Sequence, residues 1–184
     1  MKFLPFGLAA LIAAPAAASD WQLDAEASAI DIVTEAFGRE VTGSFSNFEA
    51  DIRLDPSDLA NARIEGRVEV ESGDTGNPQY NSEMIGADGL DAEDHPLALF
   101  TSTDVSPASD CAEGDGDCYR ADGTLNLRGT EQPAALLFRL TVSGDRAVAD
   151  GELDIAREDF GIGSGNWGNS AQTVRVRLHI EASR

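Results

Sequence analysis

The sequence predicts an all-β protein whose antiparallel strands close into a barrel or stack as a sandwich. Three observations carry this. Apolar and polar residues alternate with a period of two through most of the chain after residue 20, the spacing of strands with one face in a core and the other in water. Gly-containing turn signals separate these runs at Gly38-Arg39, Arg128-Gly129-Thr130 and Ser143-Gly144-Asp145, as hairpins require. No βαβ rhythm and no internal repeat interrupts the pattern.

The alternation is clearest in Thr173 to Glu181, where Val174, Val176, Leu178 and Ile180 take one face and Arg175, Arg177, His179 and Glu181 the other. In Ala62 to Glu71, Ile64, Val68 and Val70 oppose Arg63, Glu65, Arg67, Glu69 and Glu71. Further strands are expected at Ala29–Phe37, Val41–Phe45, Phe48–Leu54, Leu97–Val105, Tyr119–Leu127, Ala134–Val142 and Ala147–Ile155. Asp55-Pro56-Ser57-Asp58-Leu59 reads as a short helix capped by Asp55 with Pro56 at its first position, and Tyr80 to Ile85 as another helical turn. A total of about eight or nine short strands suits a barrel or a sandwich.

The N-terminal segment reads as a signal peptide spanning residues 1–18. Lys2 supplies the positive charge, Phe3 to Ala14 the apolar run and Ala16-Ala17-Ala18 the small residues before cleavage at Ser19, all features of an export leader. The run is too short for a transmembrane helix and no later stretch approaches the length needed, so no transmembrane segment is expected. Residues 19–184 then form one domain.

Charge excludes two classes of partner. The chain carries 33 acidic residues against 13 basic ones, a formal net charge of −20, and its one lysine, Lys2, lies in the leader. Such a surface repels nucleic acid and anionic lipid headgroups. Cys111 and Cys118, the two cysteines, flank the hydrophilic stretch Ala112 to Asp117. In an oxidising compartment they should pair as a disulfide. Their spacing is not C-x-x-C and no His lies nearby in sequence, which speaks against a redox or metal pair.

The inventory for catalysis is thin. His95 falls in a surface turn and His179 alternates with arginines on an outward face; neither has a partner at metal-ligating spacing. No G-x-S-x-G elbow is present, and Gly163-Ser164-Gly165 reads as a flexible turn. No catalytic residue, metal or cofactor is assigned. The irregular segment from Arg157 to Ser170 stands out, with Gly161, Gly163, Gly165 and Gly168 interleaved with Phe160, Ile162 and Trp167. Its apolar side chains need burial, so it caps a barrel end, forms a mouth, or does both. An Arg157–Asp159 interaction would orient it, and either side chain, turned inward, could instead meet a polar lipid head. The Arg157 guanidinium suits the phosphate or carbonyl oxygens of such a head.

Several stretches, in order along the chain, resemble the YceI-like family of periplasmic lipid-binding proteins. These are Asp154-Ile155-Ala156-Arg157-Glu158-Asp159-Phe160-Gly161-Ile162-Gly163 followed by Trp167, and Gly123-Thr124-Leu125-Asn126-Leu127-Arg128-Gly129. To them are added Val41-Thr42-Gly43-Ser44-Phe45 through Phe48 to Asp55-Pro56, Ser72 to Asn77 with Met84, and Pro96 to Phe100. The resemblance implies an extended antiparallel eight-stranded lipocalin-like barrel with one or two short helices, located in the periplasm. Its tunnel would hold a long-chain isoprenoid or quinone-like lipid, and no catalytic residues come with it. A homodimer is one assembly open to such a chain. On this reading Phe37, Phe45, Phe48, Phe100, Leu127, Phe138, Ile155, Phe160, Ile162 and Trp167 face the interior, Met84 and Leu90 line the mouth, and Arg157 meets the head. Where the family often has D-W-F-D or D-F-F-D, this chain has Asp88-Gly89-Leu90-Asp91, so that region is expected to be wider or looser. Two other functions fit the same residues: an enzyme acting on a lipid-like substrate in the barrel, or a structural or interaction protein with a filled barrel.

Overall fold

The computed structural model describes residues 20–165, 167, 168 and 170–184. The expected leader, residues 1–18, lies outside them. Eleven strands, β1 (Asp20–Leu23), β2 (Ala29–Ala36), β3 (Arg39–Phe45), β4 (Phe48–Arg53), β5 (Arg63–Glu69), β6 (Gly73–Asp74), β7 (Leu97–Pro107), β8 (Asp117–Leu127), β9 (Thr130–Ser143), β10 (Arg146–Ala156) and β11 (Thr173–Ser183), accompany one α-helix, α1 (Pro78–Ile85). Every pairing is antiparallel. The ring runs β1–β4–β5–β7–β8–β9–β10–β11 and closes by pairing β11 with β1. The molecule is therefore a closed eight-stranded barrel, as expected.

The three remaining strands lengthen the ring rather than widen it. β2 continues the line of β1 along β11, β3 pairs with β2, and β6 with β3. The first hairpin is thus long and bent. Its outgoing arm is interrupted at Asp24–Ser28, where Ser28 Oγ donates to the Asp24 carbonyl at 2.7 Å. Its returning arm is interrupted at Ser46-Asn47, where Asn47 Nδ2 donates to Glu69 at 2.6 Å. β2 stays paired with β11, β6 follows β3 towards α1, and Ala36 at the end of β2 bridges to Ser170 in the segment after Arg157.

Inward and outward faces follow the alternation in the sequence. Opposite charges meet outside, where Asp150 faces His179, Glu152 faces Arg177 and Asp154 faces Arg175 across β10 and β11. Arg175 donates to both Asp154 oxygens, at 2.8 and 3.0 Å, and this hydrogen bond holds the Asp154 carboxyl below its usual range. His179 Nδ1 lies 2.7 Å from Asp150. That hydrogen bond, with the negative charges of Asp150 and Glu181, raises the His179 pKa despite partial desolvation. A raised folded-state value means that the contribution is complete below the ordinary pKa of about 6.5 and fades as pH rises through the raised value. Wild type should therefore be more stable than His179→Gln at pH values below about 6, with the gap narrowing in alkali. Denaturant midpoints of both proteins across pH check this; a gap that widens with pH would contradict it. The pair is largely exposed, so the effect is small.

Several local expectations need correction. Phe37 does not end a strand inside the barrel. It sits at φ 54° beside Gly38 at φ 71° in the two-residue turn joining β2 to β3, and its ring is 64% exposed. Strand twist selects such positive-φ turns in tight hairpins, which overrides the apolar character of the side chain. No helix forms at Asp55. Its carboxylate accepts from the backbone and hydroxyl of Ser57 at 2.8 and 2.7 Å, which closes a turn in place of a cap, and one short 3-10 turn follows at Leu59–Asn61. The strand expected over Ala62 to Glu71 stops at Glu69, and Val70–Ser72 forms a second 3-10 turn with Val70 buried. The helical turn expected at Tyr80 begins earlier, because Asn77 caps it by accepting from Gln79 N at 2.9 Å and Pro78 suits the first position. β1, with four residues, is too short to declare a period in the sequence.

Candidate functional site

The inward faces of the strands surround a hollow. Ile30, Ile32 and Thr34 of β2, Phe48, Ala50 and Ile52 of β4, Ile64, Gly66 and Val68 of β5, and Val174, Val176 and Leu178 of β11 all border it. Its volume is about 340 Å³, within the range of small-molecule sites. One end is closed by a packed cluster of Trp21, Leu54, Val105, Tyr119, Phe138, Leu140, Ala147 and Ala182. Trp21 Nε1 donates to the Leu54 carbonyl at 2.8 Å, and Tyr119 stacks on Phe138 with ring centroids 5.7 Å apart. The cavity floor is thus made of Trp21, Leu54, Leu140 and Ala147, and the opening lies at the opposite end.

Four segments build the mouth: the β2–β3 turn, α1 with the stretch to Pro96, the β8–β9 turn, and the loop after Arg157. They are tied together by backbone polar groups. Arg128, at φ 52°, donates to the Ala87 and Gly161 carbonyls, both at 2.5 Å. Gly163 N donates to the Asp88 carbonyl at 2.6 Å, and Ala171 N to the Glu35 carbonyl at 2.7 Å. His95 is half-buried here against Gly129, not free in a surface turn.

Arg157 organises the loop. Its side chain is almost fully buried, at 4% exposure. Nε donates to Ala171 at 2.8 Å, Nη1 to Ile162 at 2.9 Å and Gly163 at 3.4 Å, and Nη2 to Trp167 at 3.3 Å and Ser170 at 3.4 Å, all backbone carbonyls. A guanidinium has five N–H donors, so these contacts occupy them all. Two sequence expectations fall here. Arg157 has no donor left for a lipid head, and the carboxylate near it is Glu158 at 3.8 Å, not Asp159. Gly163 makes the arrangement possible: at φ 69°, a Cβ would lie 2.6 Å from Trp167 and 2.8 Å from Arg157 Nη1.

Phe45, Phe48, Met84, Leu90, Phe100, Leu127, Phe138, Ile155, Ile162 and Trp167 all border the cavity, Arg157 touches it and Phe37 stands at its opening. Phe160 does not line it. It is buried on the 3-10 turn Arg157–Phe160, packed in a cluster with Leu125, Leu127, Leu153, Ile155 and Ile162, which stand between it and the hollow. The Asp88–Asp91 stretch is tight where a looser one was expected. Leu90 N donates to the Met84 carbonyl at 2.7 Å and Ala92 N to Ile85 at 2.9 Å. A Cβ at Gly89 would lie 2.2 Å from the Met84 carbonyl oxygen, so this path has no room for a side chain at that position.

Polar chemistry in the cavity is sparse. Among the described residues, the charged ones bordering it are Glu83, Arg157 and Glu49, and the Glu49 side chain is largely exposed, 3.7 Å from Arg67. Among the described residues no buried side-chain nitrogen or oxygen lacks a partner, and no group of His, Cys, Asp and Glu is placed to hold a metal ion. Cys111 of the β7–β8 connection and Cys118 at the start of β8 are joined as a disulfide, and neither borders the cavity.

A model of the YceI-like domain matches residues 21–182, which is nearly the whole described barrel. The chain belongs to the YceI-like family. Similar YceI-like sequences include a UPF0312 protein of Pectobacterium atrosepticum, 29% identical over 77% of this chain and 73% of that protein. Protein YceI of Escherichia coli is 27% identical over 97% of this chain and 94% of its own. Among solved structures, BcnA of Burkholderia cenocepacia superposes with a TM-score of 0.81 at 27% identity, over 88% of this chain and all of that one. A polyisoprenoid binding domain from Saccharophagus degradans shares the YceI-like fold with a TM-score of 0.68 at 19% identity, covering 89% and 97% of the two chains.

Proposed function

We propose that this YceI-like protein is a periplasmic carrier or store that holds one long isoprenoid tail, bearing an uncharged quinone-like head, in its barrel. One observation carries the reading: a hollow of about 340 Å³ bordered by Ile, Leu, Val, Phe and Ala side chains in a barrel that could have been filled. Eight strands leave an interior that side chains can pack. Here the inward positions Ala50, Gly66, Ala98 and Ala149 leave space. The binding described for the Saccharophagus domain and the leader-like N-terminus support it.

The energetics suit a hydrocarbon cargo. Burial contributes about 0.8 kcal/mol per CH₂, so a tail of about twenty buried carbons gains roughly 16 kcal/mol before association costs of about 4–15 kcal/mol. The head is assigned as uncharged because Arg157, the one cation at the cavity among the described residues, spends its five donors on carbonyls, while Glu83 of α1 borders the cavity and would repel a phosphate. Native mass spectrometry of protein recovered from the periplasmic fraction is expected to show a mature chain beginning at Ser19 and carrying a long-chain neutral lipid. After delipidation it should take up polyprenols and quinones well and polyprenyl phosphates poorly. Protein that carries no lipid and takes up none of these ligands would refute the proposal.

A further inference from the structure

Gly66 lies in the middle of β5, paired with Ala50 on one side and Phe100 on the other. It faces inward between Ile64 and Val68 and borders the cavity. Its backbone is ordinary extended strand, without the positive φ found at the turn glycines. At the other strand-interior glycines a reason for glycine is visible. A Cβ would come within 3.0 Å of Thr75 at Gly43, 2.3 Å of the Thr101 carbonyl at Gly123, and 3.0 Å of Phe138 at Gly151. At Gly66 a Cβ would meet nothing within 4 Å.

Neither conformation nor crowding therefore accounts for Gly66. Glycine within a strand costs about 0.5–1 kcal/mol relative to alanine, so an alanine here would be tolerated and would favour the fold. Glycine in such a place marks the close approach of something else, and the space before it is the lumen. β5 runs from Arg63, which pairs beside the closed end, to Glu69, which precedes the mouth. Gly66 is thus midway along the cavity, and its neighbour Ala50 adds little bulk. A large side chain at this level would divide the hollow into an outer and an inner half.

We propose that Gly66 is a specificity-determining residue: its missing side chain lets the tail pass the middle of the barrel and so sets the length of chain that the cavity admits. This rests on the lipid-binding reading above. The test is a binding series of uncharged polyprenols of increasing length with wild type, Gly66→Ala and Gly66→Leu, alongside thermal melts. For wild type, affinity should rise with length to a plateau. For Gly66→Leu the plateau should come at a shorter chain. The longest ligand should lose at least about tenfold, equivalent to roughly two buried CH₂ groups, while the shortest binds as before. Gly66→Ala should melt at the same or a higher temperature and lose about two- to fourfold on the longest chains alone, which keeps the test decisive if Gly66→Leu does not fold. Folded variants that bind every length as wild type does would overturn the proposal with the lipid reading intact. Wild type that binds no polyprenol would overturn both.

Discussion

Replacing Arg157 with methionine should lower stability by about 3–5 kcal/mol, the loss expected when a buried hydrogen-bond network is broken, and release the loop that follows it. The side chain is a staple in the literal sense. One planar group collects carbonyls from Ile162, Gly163, Trp167, Ser170 and Ala171, and its guanidinium carbon lies 5.9 Å from the Trp167 ring centroid. Methionine has similar length and no donors, so it leaves these carbonyls without that partner in a buried setting, where each orphaned polar group costs about 1–3 kcal/mol. Lysine presents three donors on a point charge and does not reproduce the fork, so Arg157→Lys should recover only part of the loss. Urea denaturation gives the stability change, and hydrogen exchange at Ile162 and Ala171 reports the loop. A stability loss of less than about 1 kcal/mol, within the range of an ordinary single substitution, would show that the staple is dispensable.

The second large effect is expected at the closed end. Trp21→Ala should cost about 3–5 kcal/mol, as for other buried large-to-small aromatic substitutions. Trp21 is 6% exposed and its indole nitrogen bonds the Leu54 carbonyl. The Arg184 guanidinium lies over its ring at 4.5 Å. The residue also sits in the strand that completes the ring. β1 contributes two residue pairs to β4 and two to β11, so its anchoring depends on this side chain more than on its ladder. Loss of the indole should therefore loosen the seam, and amide exchange at Ile52 and Ala182 should rise more than at the middle of β9. Trp21→Phe keeps most of the ring contacts and loses the hydrogen bond, and should cost about 1 kcal/mol. Equal costs for the two substitutions would contradict this account.

The barrel walls were legible because their alternation states which side faces in. The exterior ladder of Arg175, Arg177 and His179 against Asp154, Glu152 and Asp150 confirms the face assigned to β11. The turns at Arg128-Gly129 and Gly144 were legible because positive φ selects glycine. Closure was not. It depends on β1, whose Trp21 and Leu23 are too few to show a period and whose partners lie far along the chain. The hollow was not legible from the large apolar residues either, since the same phenylalanines suit a filled core. Its trace is in the small inward residues, Ala50, Gly66, Ala98 and Ala149, whose lack of bulk gives no period of its own. Arg157 was picked out for its charge on an apolar loop. Its task was hidden because the carbonyls it gathers belong to backbone that only the folded loop assembles.

The packed floor beneath Trp21 and Leu54 makes the interior a sac and not a conduit. Whatever occupies it must leave through the door by which it came. On the carrier role proposed above, a donor and an acceptor cannot be served at the same time from opposite ends; exchange would proceed by turns, with one partner gone before the next is met.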